Sequence, residues 1–85
     1  MVKRLTLNIV IDLEDERLAN TLYKALLPES KVKLRGIETK LIINGASLKI
    51  IIEAPDYSSL RAVSNALLRL SDTVLRMVKS LMWGV

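Results

Sequence analysis

The sequence predicts one α+β domain of order β-α-β-β-α, with a three-stranded antiparallel sheet in the order 1-3-2 and two helices on one face. Three observations predict it. Residues 3–13 alternate apolar and polar, Asn44-Gly45 separates two apolar runs, and apolar residues recur at heptad spacing from Leu60 to Leu81. The 85 residues form a single domain over 1–85, without repeats, low-complexity segments or linkers.

In the first segment Leu5, Leu7, Ile9, Ile11 and Leu13 point one way, and Arg4, Thr6, Asn8 and Asp12 the other. Only Val10 departs from the pattern. Period-2 alternation rich in β-branched residues predicts a half-buried strand. Asp15 then caps a helix, and Glu16 suits the positive end of its dipole. Leu18, Leu22, Ala25 and Leu26 recur at helical spacing, and Pro28 is expected to stop the helix near Leu27.

A second strand is expected to begin near Lys31. Val32 and Leu34 share one face as far as Gly36, and Ile37, Leu41 and Ile43 have the opposite parity. A glycine at a parity switch predicts a bulge. Asn44-Gly45 then turns the chain into a third strand over 46–54, with Leu48, Ile50, Ile52 and Ala54 inward and Ile51 outward. Asp56 caps the last helix. Its seam, Leu60, Val63, Leu67, Leu70, Val74, Met77 and Leu81, carries the helix to about Trp83. Such a helix is roughly 39 Å long against about 30 Å for a nine-residue strand, so it overhangs the sheet. A right-handed crossover through the first helix brings strand 1 beside strand 3 and leaves its other edge open.

Composition narrows the function. There is no Cys and no His, which removes disulfides, zinc or haem sites built on those ligands, and the commonest general base and thiol nucleophile. The chain is therefore expected to be no enzyme, and no cofactor, metal or small-molecule substrate is expected. No stretch approaches a membrane span or a signal-peptide core, which predicts a soluble cytoplasmic protein without membrane contact. Apolar residues make up 51% of the chain, including 31 Leu, Ile and Val. A domain this small buries only about 60–65% of its unfolded surface, so the surplus points to self-association or a partner.

Several clusters have a plain structural reading beside a functional one. Asp12, Glu14, Asp15 and Glu16 read as the first turn of a helix that favours carboxylates. The net charge is +4. Lys31, Lys33 and Arg35 on strand 2, with Lys40 and Lys49 nearby, read either as edge protection or as a phosphate-binding stripe. No aromatics interleave with the stripe, so base stacking is unsupported. Arg61, Asn65, Arg69 and Asp72 form a polar stripe on the last helix, with Arg69 expected to pair with Asp72. Thr6, Asn8, Val10 and Asp12 on the open edge of strand 1 are expected to pair with the same strand of a second copy. An alternative dimer uses the outer sheet face through Val10, Ile42 and Ile51. Tyr23 and Leu27 on the first helix, with Leu68, Leu75, Val78 and Met82 on the second, are expected to present a face to partner helices. Arg61 and Arg69 flank that face.

Asp56-Tyr57-Ser58-Ser59-Leu60-Arg61-Ala62-Val63-Ser64-Asn65-Ala66-Leu67-Leu68-Arg69 resembles the D-x-S-x-L-R-x-x-x-N-x-x-L-R signature of the Pcc family (CTAG/Pcc), the small subunit of the KEOPS complex. Leu18-Ala19 and Tyr23-Lys24-Ala25-Leu26-Leu27-Pro28-Glu29 resemble that family's L-A...Y-R-A-L-x-P-E segment. The resemblance spans nearly the whole chain. It implies a non-catalytic dimerisation subunit, pairing with itself or with a paralogue. It also implies binding to the ATPase-fold catalytic subunit, which makes threonylcarbamoyladenosine at position 37 of tRNA, and contact with tRNA through the assembled complex. The family has also been labelled a transcription factor. A stand-alone small α/β RNA-binding module is the alternative reading. The absence of Gln, His and Cys suits a thermophilic archaeal source.

Overall fold

The computed structural model describes residues 4–32 and 36–82, apart from the Met82 side chain. Strand β1 is Leu5–Asp12, helix α1 Glu16–Ser30, strand β2 Glu38–Asn44, strand β3 Ser47–Ala54 and helix α2 Tyr57–Met82. The sheet is antiparallel in the order β1-β3-β2, as the sequence predicts.

The central strand is the best-covered element. Leu48, Ile50, Ile52 and Ala54 are completely buried, and they pack with Leu22, Leu26, Ile37 and Leu67. On β1 and β2 the inward residues stay half-buried, because each strand has a neighbour on one side only. Gly45, at φ 60°, opens a two-residue loop between the paired Asn44 and Ser47. Glycine takes that conformation without steric cost, and positive φ at the first loop position only is the type II′ pattern. The Leu13 N–H donates to the Ala46 carbonyl at 2.9 Å and ties the end of β1 to this hairpin.

Helix α1 begins as expected. The backbone N–H groups of Arg17 and Leu18 donate to Asp15 Oδ1 at 2.8 and 3.4 Å. These bonds, led by the one from Arg17, hold the Asp15 carboxyl below its ordinary value. Just before the cap, Glu14 sits at φ 59°, a left-handed conformation uncommon for a residue with a Cβ, and its N–H donates to Asp12 Oδ1 at 3.2 Å.

Several expectations need correction. Pro28 does not end α1; the helix runs to Ser30. Proline removes only its own N–H bond to the preceding turn, and the carbonyls beyond it still accept. Ser30 Oγ donates to Leu27 O at 2.7 Å and the Lys31 N–H to Pro28 O at 3.3 Å, closing the last turn. In consequence β2 begins at Glu38 rather than near Lys31. Lys31 is the helix C-cap with αR dihedrals. Gly36, at φ 76°, lies in a turn before the strand, so it is not a bulge within β2. The Gly36 carbonyl accepts from Arg4 Nη2 at 2.7 Å. Lys33, Leu34 and Arg35 lie outside the described residues.

A further correction concerns Leu75 on α2, which is expected off the core and packs against it. Leu60, Val63, Leu67, Leu70 and Val74 line the core as predicted, and beyond Val74, where the helix is expected to overhang the sheet, Met77 is 59% exposed and Leu81 85%. Ser64, Ser71 and Leu75 take the inward side instead. A straight helix drifts about 20° per heptad against a 3.5-residue repeat, hence about 60° between Leu60 and Leu81. The seam therefore rotates partly off the sheet and its flank rotates on, whereas Leu81, five whole turns beyond the core-packed Val63 on the same line of the helix, is exposed because the helix outruns the sheet. The buried hydroxyls are satisfied within the helix: Ser71 Oγ donates to Leu67 O at 2.7 Å and Ser64 Oγ to Arg61 O at 3.0 Å. The long dimension of the molecule, 50 Å against 21 and 17 Å, is consistent with a helix that projects beyond its sheet. Asp72 pairs with Arg76 at 3.0 Å rather than with Arg69, because i,i+4 is the better-oriented spacing here.

Candidate functional site

The open edge of β1 is defined by backbone parity. In a tight two-residue hairpin the flanking residues, Asn44 and Ser47, exchange both of their backbone hydrogen bonds. Alternation then turns Lys49, Ile51 and Glu53 toward β2, and Leu48, Ile50, Ile52 and Ala54 toward β1. Their partners on β1 are Ile11, Ile9, Leu7 and Leu5. The N–H and C=O groups of Thr6, Asn8, Val10 and Asp12 therefore point away from the sheet. All four side chains are exposed on the outer face, Val10 at 65%. These are the residues anticipated for the dimer edge, and they share both one face and one edge.

The helix face is less uniform than the heptad stripe suggested. Arg61, Asn65 and Arg69 are exposed, and Leu68 is 44% exposed between them. Leu75, expected to stand off the core, packs against it and is only half-exposed; the rotation that displaces Met77 brings it inward. Tyr23 also packs against the core. Leu27 and Val78 are half-buried, and the side chain of Met82 lies outside the described residues. The apolar centre of this face is thus Leu68, bordered by residues shared with the core. At the start of α2, Tyr57, Ser58, Arg61, Ala62 and Asn65 surround a shallow concavity of about 290 Å³. Tyr57 lies within the signature segment, yet side-chain periodicity alone gave no reason to single it out. The cap beneath it is firm: the Ser59 N–H donates to Asp56 Oδ1 at 2.7 Å, which lowers the Asp56 pKa.

Of the expected basic stripe, Lys31 does not lie on β2. Lys31 caps α1, whereas Lys40 is exposed on the outer face of β2, opposite Ile51 and two residues from Ile42. Lys33 and Arg35 lie outside the described residues. Glu38 and Glu53 stand directly opposite each other on the same outer face as Lys40, which dilutes its positive field. Among the described residues no group of three or more His, Cys, Asp or Glu is placed to hold a metal ion, and no helix is long and apolar enough to cross a membrane.

Residues 6–79 match the profile of the family described as the transcription factor Pcc1. The chain belongs to the Pcc1 family. No curated protein matches the sequence. A chain in the crystal structure of the binary Gon7–Pcc1 complex has the same fold, with a TM-score of 0.81 and 21% identity over 91% of this chain and 95% of that one. The Pcc1-family match takes in β1, both signature segments and all of α2 up to Lys79.

Proposed function

We propose that this Pcc1-family chain is a non-catalytic scaffold subunit of the KEOPS assembly, which makes threonylcarbamoyladenosine at position 37 of tRNA. The family match over residues 6–79 carries the reading. A related fold in complex with another protein chain supports a role in assembly. Two copies pair through β1. Antiparallel pairing of Thr6 with Asp12 and of Asn8 with Val10 uses the outward-facing backbones and doubles the three-stranded sheet about a two-fold axis. It sets Leu7 beside Ile11 and Ile9 beside Ile9 on the inner face, with no like charges opposed.

The helix face, with Leu68 at its centre and Tyr23, Leu27, Leu75, Val78 and Met82 around it, takes helices of the ATPase-fold catalytic subunit. Arg61, Asn65 and Arg69 form the rim, where charge gives specificity more than affinity. Lys31 and Lys40, with Lys33 and Arg35, supply a modest electrostatic contribution to tRNA held by the whole complex. The test is affinity purification of the chain from its native host with mass spectrometry of what travels with it. Recovery of an ATPase-fold protein and a kinase-like protein in stoichiometric amounts is the expected result. Recovery of this chain alone, or with RNA and no protein, would refute the assignment.

A further inference from the structure

The inner face of β1 is covered unevenly. Ile9, Ile11 and Leu13 pack against the core, but Leu5 and Leu7 on the same face are half-buried and do not join it. The course of α2 accounts for the difference. The helix starts just past Ala54, which pairs with Leu5, and runs back along the sheet in the direction of β1. Its early residues Val63, Ala66 and Leu67 share a cleft of about 180 Å³ with Glu29 of α1 and with Ile37 and Thr39 on the β2 side. Farther on, Val74 and Leu75 pack against the core. Leu75 is about 27 Å along the helix, level with the end of an eight-residue strand of about 27 Å. The helix thus begins on the β2 side, away from Leu5 and Leu7, and its later turns lie over the Ile11–Leu13 end of β1, which it contacts.

From Leu75 to Met82 the helix continues for about 10 Å past its own sheet. Leu81 lies two turns beyond Val74 on the same side of the helix, so it faces the level of the sheet, and it is 85% exposed where that sheet has ended. Each copy therefore has bare leucines at one end of β1 and an apolar overhang at the other.

A two-fold axis brings these ends together. In the β1 pairing proposed above, Leu7 lies beside Ile11 of the second copy, and the same register sets Leu5 beside Leu13, about 5 Å away. The α2 that covers Ile11 and Leu13 of one copy is then carried over Leu5 and Leu7 of the other. Its overhang ends beside the start of the other α2, where Tyr57 is 66% exposed. We infer that, on this β1 pairing, the last two turns of α2 are an arm that laps onto a second copy, with Leu75 covering Leu5 and Leu81 against Tyr57, twice by symmetry.

The chain has no cysteine, so a designed pair reports on this contact alone. Tyr57→Cys and Leu81→Cys in one chain place the thiols about 36 Å apart along a single helix, whereas a disulfide needs Cα atoms within about 7 Å. Only a bond between copies can form. Oxidation of the full-length double variant at micromolar concentration gives a covalent dimer on a non-reducing gel and no larger species, and neither single variant cross-links. Leu81→Asp raises the dimer dissociation constant about tenfold in sedimentation equilibrium, with the circular dichroism spectrum unchanged because Leu81 is exposed in one copy. A dimer that Asn8→Pro weakens, but that ignores Leu81→Asp and is not trapped by the cysteine pair, would overturn the arm and leave the β1 pairing standing. A ladder of larger cross-linked species, or equal cross-linking by Leu81→Cys alone, would overturn the reciprocal contact. A wild-type chain that is monomeric at micromolar concentration would overturn the arm and the pairing together.

Discussion

Proline at position 8 separates the sheet's own ladder from the pairing between copies. The Asn8 N–H points to the free edge, whereas the Ile9 N–H points into the ladder with Ile50. Asn8→Pro therefore leaves β1 bonded to β3, because proline is tolerated on an edge whose N–H faces outward. In the proposed dimer, four facing pairs exchange about eight backbone hydrogen bonds. The substitution removes about two of them, one per copy, and sets a ring against each opposing backbone. At about 0.5–1.5 kcal/mol per bond the loss is about 1–3 kcal/mol, or roughly five- to 150-fold in the dimer dissociation constant. Sedimentation equilibrium across a concentration series measures it, with circular dichroism reporting the fold. Ile9→Pro is the contrast: it breaks the internal ladder and should lower thermal stability. A dimer that is unchanged in Asn8→Pro would refute the edge geometry. Disruption by Val10→Asp but not by Asn8→Pro would point to the outer sheet face instead.

Other expectations bear on the same structure. Glu14→Gly should stabilise the chain by about 0.5–1 kcal/mol in urea denaturation, since glycine takes φ 59° without the Cβ penalty. Ser71→Leu should cost about 1–3 kcal/mol, because that position is 3% exposed and a larger side chain overpacks it. Leu68→Asp should reduce affinity for the ATPase-fold subunit about tenfold with fold and dimer intact, whereas Leu75→Asp should first lower thermal stability. The caps predict a pH dependence. Asp15 and Asp56 titrate below the ordinary range of an aspartate in the folded state, held down by backbone hydrogen bonds, so their contribution is present above the ordinary value and fades as pH falls through the lower folded-state values. The Asp15→Asn, Asp56→Asn pair should flatten the acid limb of a stability-versus-pH curve.

The strands and their order were legible because alternation, a glycine hairpin turn and chain handedness are local or topological signals. The free edge of β1 followed from the same alternation, and the parity fixed by the hairpin then sorted Thr6, Asn8, Val10 and Asp12 from their neighbours. The helix face was less legible. A heptad count assumes 3.5 residues per turn, whereas an α-helix has 3.6, so Leu75, counted off the core stripe, packs against the core, while the exposure of Met77 and Leu81 follows the overhang of a long helix on a short sheet. Pro28 misled for a related reason: its propensity concerns one hydrogen bond, and Ser30 and Lys31 close the turn beyond it. That extension of α1 also moved the start of β2 and made Lys31 a helix cap rather than a strand residue. The cleft at Ile37, Ala66 and Leu67 depends on three elements meeting, which no single segment encodes.

The proposed scaffold role ties this chain to the formation of threonylcarbamoyladenosine without a catalytic part in it. Mass spectrometry of tRNA nucleosides from the native host, with and without the gene, addresses it most directly. The account predicts a marked fall in threonylcarbamoyladenosine on deletion, restored by the wild-type chain. An unchanged level in the deletion strain would contradict it.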